Sequence, residues 1–124
     1  MAAWTSDELS KVGGAEELQI TSVRQDGTDS GSRTIWVVPY GDDLFVRSVN
    51  GPTAAWYRGT QVRHEGHISA GGVDRDVTFA EADHGIDDEI DSAYRTKYRR
   101  YPRNITDSVL TPGARSTTTR LVPR

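Results

Sequence analysis

The chain has 124 residues, 15 basic against 18 acidic, a net charge of −3 at pH 7 and no cysteine. This length sets the expectation of one domain over residues 1–124 with one hydrophobic core. The charge balance excludes a surface that gathers nucleic acid or anionic lipid by bulk attraction, and the missing cysteines exclude a disulfide scaffold and a thiolate nucleophile.

No run is apolar enough to cross a bilayer, and the opening MAAWTSDELS is not a basic-then-apolar leader, so the expected location is cytoplasmic with no membrane partner. All basic residues except Lys11 and Lys97 are arginines. The guanidinium fork suits phosphate and carboxylate, although genomic composition bias accounts for the same count.

Thr5 and Glu8 have the spacing of a capping box and predict a short helix. Leu9 and Val12 give it an apolar side, Gly13-Gly14 stops it, and Trp4 is placed to pin it to the body. Residues 17–24 alternate as a strand, and 26–32 is turn material. The apolar run within 33–40, a Gly41-Asp42-Asp43 joint and 44–49 predict a hairpin. Asn50-Gly51-Pro52 punctuates, and 53–58 reads as one or two helical turns. Residues 68–70 and 73–79 around Gly71-Gly72 predict a second hairpin. The main helix is expected over 86–101, where Ile86, Ile90, Ala93, Tyr94, Lys97, Tyr98 and Tyr101 recur at three- and four-residue spacing. Its acidic start and basic end suit the helix dipole. A loop over 104–113 and a final strand over 115–122 complete the chain. The fold class expected is α+β, mainly β: a mostly antiparallel sheet rolled into a small barrel, with the long helix over one opening.

No glycine-rich phosphate loop is present, since both glycine pairs serve as a helix stop and a hairpin turn. His64 and His67 lack zinc-protease spacing, and no metal is expected. No nucleophile elbow occurs. Asp87 and Asp91 read as charge at a helix start. His84, Tyr94, Tyr98 and Tyr101 are candidate proton carriers for a cofactor-free isomerase or cyclase working in a barrel cavity. The stretch 44–58 is the most informative. A strand ends in Arg47 and Ser48, a turn follows, and a short helix begins, so backbone N–H groups and two side-chain donors could meet an anion. Trp56 and Tyr57 add apolar area that faces a ring system or anchors the helix. The alternative is a strand leading into a packed helix, with Arg47 pairing to Asp74 or Asp76.

Trp4-Thr5 with Glu8-Leu9, Ile35-Trp36-Val37-Val38, Leu44 to Ser48, Ala55-Trp56-Tyr57-Arg58, Ala70 to Val73 and Thr119 to Pro123 resemble the DUF2255 family over nearly the whole chain. That family is in turn distantly similar to the split-barrel flavin-binding superfamily, in particular its deazaflavin-dependent nitroreductase branch. The resemblance implies an FMN-binding-like split barrel that forms a homodimer around FMN or a deazaflavin (F420). It implies that Arg47, Ser48, Asn50, Gly51 and Thr53 receive cofactor phosphate, with Trp56, Tyr57 and Arg58 on the following helix. The chain departs from the branch in having Val49-Asn50-Gly51-Pro52 where a lysine or a longer glycine-rich loop is common. The function implied is a flavin- or deazaflavin-dependent oxidoreductase acting on a small organic substrate. The alternatives are the cofactor-free enzyme and a non-catalytic ligand-binding protein. Nucleic acid is not an expected partner, although Arg95, Arg99, Arg100 and Arg103 form a local basic cluster.

Overall fold

A computed structural model describes residues 3–124. Helix α1 (Ser6–Gly13) opens the chain and carries the capping box in full: Glu8 N–H donates to Thr5 Oγ1 (3.1 Å) and Thr5 N–H to Glu8 Oε1 (3.0 Å). The bond from the Thr5 backbone, followed by Arg75 at 2.6 Å, holds the Glu8 carboxyl below its ordinary range. Strands β1 (Leu18–Ser22), β2 (Arg33–Ile35), β3 (Val37–Tyr40) and β4 (Asp43–Val46) follow. Helix α2 (Ala55–Arg63) comes after a single 3-10 turn at Gly51–Thr53. Strands β5 (Glu65–Ala70) and β6 (Val73–Glu81) form the second hairpin. Gly71 and Gly72 take φ values of +58° and +85°, the conformation a two-residue type I′ turn requires.

The seven strands lie in the order β2-β1-β5-β6-β7-β4-β3, with β7 at Thr119–Pro123 and every neighbouring pair antiparallel. The two outermost strands, β2 and β3, are consecutive in sequence and separated only by Trp36. The sheet therefore curls back on itself into a nearly closed antiparallel barrel, the split-barrel, FMN-binding-like fold. This corrects the expectation of one strand across 33–40. The two halves of that run pair with different partners, β2 with β1 and β3 with β4.

Period-two alternation divides the apolar residues between two clusters. Leu18, Ile20, Val37, Leu44, Val46, Ile68, Val77, Phe79 and Leu121 fill the barrel interior. Val38 and Phe45 point the other way, to Ile90, Tyr94 and Tyr98 of the main helix segment. Helix α3 (Asp87–Lys97) thus covers the outer face of β3 and β4 rather than a barrel opening. The interior cluster is completed instead by Val12 of α1 and by Trp4, whose indole N–H donates to the Leu121 carbonyl at 2.9 Å.

Three further boundaries differ from expectation. The main helix stops at Lys97 rather than 101, and a 3-10 turn at His84–Ile86 precedes it. Tyr98 turns into the core, where its hydroxyl donates to the Glu16 carbonyl (2.7 Å) and its ring stacks on Trp36 at 3.8 Å and 5°. Residues 104–113 are not a loop. They hold α4 (Arg103–Thr106), a 3-10 turn at Asp107–Val109 and the start of α5 (Pro112–Ser116). The Thr111 hydroxyl caps α5 by accepting from Ala114 N–H (3.1 Å), and this delays the last strand to Thr119.

Candidate functional site

The stretch that ends β4 enters the core. Arg47 is 1% exposed. Its Nε donates to Thr118 Oγ1 (2.8 Å), its Nη1 to Asp91 Oδ1 (2.5 Å) and the Val109 carbonyl (2.9 Å), and its Nη2 to the Asp87 carbonyl (3.1 Å). The guanidinium also lies over the Tyr94 ring, 5.5 Å from its centroid. Neither the anion contact nor the pairing with Asp74 or Asp76 expected from the sequence is what occupies this side chain; its carboxylate partner is Asp91, on α3. Ser48 is buried too, with its N–H on Thr117 Oγ1 (2.8 Å) and its hydroxyl unpartnered.

The following turn uses two of its donors internally. Gly51 N–H bonds the Ser48 carbonyl (3.0 Å) and Ala54 N–H the Gly51 carbonyl (3.3 Å). Gly51 takes φ +75° and is buried beside Gly113, whereas Asn50 and Thr53 are exposed. Helix α2 then separates the other three candidates. Trp56 faces one cleft, Tyr57 faces a small polar cleft with His64, Glu81 and His84, and Arg58 is exposed. Burial, reinforced by Glu81, raises the pKa of Tyr57.

Two of the three tyrosines proposed as proton carriers, Tyr94 and Tyr98, are packed rather than poised, whereas Tyr101 is half-buried with its hydroxyl on Glu16 Oε1. Tyr94 is fully buried with its hydroxyl unpartnered, and Tyr98 is 1% exposed. Burial pushes the pKa of both upward, so both hydroxyls are harder to ionise. His84 is exposed and pairs with Asp87 at 3.0 Å. His67 sits between Asp76 (2.9 Å) and Asp74 (3.4 Å); the Asp76 hydrogen bond is the main cause that raises its pKa. Among the described residues no group of three His, Asp or Glu side chains is arranged to hold a metal.

The arginines divide more tellingly. Seven of the thirteen pair with carboxylates: Arg47, Arg63, Arg75, Arg100, Arg115, Arg120 and Arg124. Of the others, Arg24 and Arg33 border the principal cleft, a cavity of about 350 Å³ between α2 and the loop joining β1 to β2. Trp56, Gly59 and Val62 line its helix side, and Ser22 and Ser30, whose hydroxyls are 3.0 Å apart, line its sheet side. Gly59 explains why helix and strand approach so closely, because a Cβ there would collide with the Ser22 hydroxyl. The cavity thus offers an aromatic and aliphatic wall beside two fork-shaped cations. This arrangement suits a planar ring bearing an anionic tail, and the volume is that of a small-molecule site.

Of the eight residues expected to hold cofactor, only Trp56 reaches this cleft. Sequence reasoning missed Arg24, Arg33, Ser22 and Ser30. The available signal was Gly59, a glycine inside a helical stretch, which marks close approach of another backbone or side chain.

A family model described as "Uncharacterized protein conserved in bacteria (DUF2255)" matches residues 8–121. No curated protein matches the chain. Among solved structures, an F420 reductase is 17% identical over 94% of this chain and 90% of its own, with a TM-score of 0.57. An FAD-binding protein from Mesorhizobium loti is 15% identical over 98% and 91%, with a TM-score of 0.58. The heme storage protein HutZ from Vibrio cholerae is 13% identical over 89% and 82%, with a TM-score of 0.60. Likeness at these identities establishes a shared fold.

Proposed function

Starting from a chain that belongs to the DUF2255 family, we propose that it binds a flavin-type cofactor, FMN or the deazaflavin F420, in the cleft between α2 and the β1–β2 loop, and reduces a small organic substrate. The observation that carries this reading is the pairing of Trp56 with two arginines that have no carboxylate partner among the described residues, within one cavity of a split barrel. Solved proteins of similar fold include an F420 reductase and an FAD-binding protein, which supports the same class of ligand.

The bound cofactor would supply hydride transfer, leaving the protein to bind, orient and exclude water. Trp56 and Val62 would take the face of the ring. Arg24 and Arg33 would hold the anionic tail, with the Ser22–Ser30 hydroxyl pair as further donors. Heme, the ligand named for HutZ, fits the donor set less well. Heme iron is held by histidine, cysteine, methionine or tyrosine, and none of these lines the cleft. We place a second copy of the chain over the open side of the cavity, as a homodimer.

The test is titration of the purified protein with FMN and with F420, followed by quenching of cofactor fluorescence. One of the two should bind, and R24A/R33A should weaken it by about tenfold to a hundredfold, the value of one or two charge-assisted hydrogen bonds. No binding of either at high micromolar concentration refutes the reading. Binding without turnover of nitro or quinone substrates assigns a ligand-binding role instead.

A further inference from the structure

Removing the paired arginines and the two at the principal cleft leaves Arg58, which stands alone, and Arg95, Arg99 and Arg103. These last three border one cleft of about 200 Å³ at the end of α3. The main helix breaks after Lys97, so Arg95 lies in its last turn, Arg99 in the turn that follows, and Arg103 at the start of α4. Tyr98, held in the core by Glu16 and Trp36, lies at that break, and the three side chains line a common opening.

The cleft wall is already satisfied. The Tyr101 hydroxyl donates to Glu16 Oε1 (2.6 Å) and the Thr106 hydroxyl to the Tyr98 carbonyl (3.3 Å). Asp107 is the sole carboxylate on the lining and pairs with none of the three arginines. The neighbouring Arg100 is neutralised by Glu16. The lining therefore carries a surplus of two positive charges in a chain whose net charge is −3. Three unpaired guanidiniums in one place repel one another. The negative end of α3 offsets this for Arg95 but not for Arg103, because the dipole acts only within the last turn.

We infer that this cleft binds a compact polyanion, the diphosphate group of a small molecule, through the forks of Arg95, Arg99 and Arg103. Three planar forks around a small opening match the oxygens of two linked phosphoryl groups better than those of a single carboxylate. The site shares no residue with the cofactor cleft and does not depend on the reading given to it.

The experiment is calorimetric titration of the full chain with inorganic pyrophosphate and with ADP, at low and at physiological salt. Pyrophosphate should bind, more weakly as salt rises. R95A/R99A and R103A should each weaken it by about twofold to fivefold per arginine removed, the upper range for loss of exposed charge-assisted contacts. Their melting temperatures should match that of the parent, because none of these side chains holds the fold. R24A/R33A should bind pyrophosphate as the parent does, which separates this site from the cofactor cleft. Tighter binding of ADP assigns the diphosphate to a nucleotide, and equal binding assigns it to the phosphate groups alone. Absence of heat at millimolar pyrophosphate and low salt overturns the inference. So does an equal loss in R24A/R33A, or a single-stranded 12-mer that binds and is not displaced by pyrophosphate.

Discussion

Replacing Arg47 with methionine keeps most of the side-chain volume and removes the charge and four hydrogen bonds. Asp91 Oδ1 loses its 2.5 Å partner. The Asp91 side chain is only 11% exposed, and its other oxygen keeps Arg115 Nε at 3.5 Å, which compensates in part. The Val109 and Asp87 carbonyls and the Thr118 hydroxyl lose donors as well. Breaking one side of a buried ion pair costs about 3–5 kcal/mol, chiefly for the charge left behind. In a chain of this size that lowers the melting temperature by roughly 10–20 °C. Arg47→Lys should fall between the two, since a point charge cannot serve Thr118, Asp91 and Asp87 together. The double variant R47M/D91L should recover most of the loss, because an apolar pair carries no stranded charge. Thermal and urea unfolding measure stability, and cofactor titration of the folded variant should show unchanged affinity. A melting temperature within about 3 °C of the parent for Arg47→Met, a shift worth under 1 kcal/mol, would refute the reasoning.

Two further outcomes follow from local geometry. Gly66→Ala places a Cβ against the Thr21 carbonyl and the Phe79 ring, so it should cost about 1–3 kcal/mol by overpacking, while Gly113→Ala, with no atom closer than 3.8 Å, should stay within about 1 kcal/mol of the parent in the same urea unfolding series. Stability should also have a maximum in mild alkali. Burial lowers Lys97 to about 8, so between pH 8 and its unfolded value of 10.5 the unfolded chain holds the extra proton and stability rises with pH. Tyr94 and Tyr98 are raised by burial from 10.0, so above pH 10 the unfolded chain loses protons first and stability falls. Urea midpoints across this range for the parent and for Lys97→Met check both limbs; the variant should lose the rise and keep the fall.

The elements legible in the sequence were those whose chemistry is local. The Thr5–Glu8 capping box, the Gly71-Gly72 turn and the acid-to-base gradient along α3 each need only neighbours within a few residues. The break at Trp36 was not legible, because both halves of the run are apolar and periodicity does not say which strand each half will pair with. For Arg47 the sequence offers an anion contact or a pair with Asp74 or Asp76, and neither names the carboxylate it meets. Its partners lie at Asp87, Asp91, Val109 and Thr118, at least 40 residues away. The cleft between α2 and the β1–β2 loop was not legible for a related reason: Arg24 and Arg33 flank turn material, and only the docking of α2 across Ser22 turns that loop into a wall.

The one-residue joint at Trp36 makes the sheet a ring with a covalent clasp. Ile35 and Val37 are two steps apart, at most about 7 Å, so the two margins of the sheet cannot drift apart at that corner even when no ladder bonds tie them together. Unrolling must begin at the far ends of β2 and β3, away from the clasp, and each of these strands is only three or four residues long. A margin so short and so tethered is a poor template for a foreign strand. The chain therefore guards itself against edge-to-edge aggregation first by connectivity, with Arg33 on one short margin and Pro39 on the other adding a charge and a missing donor.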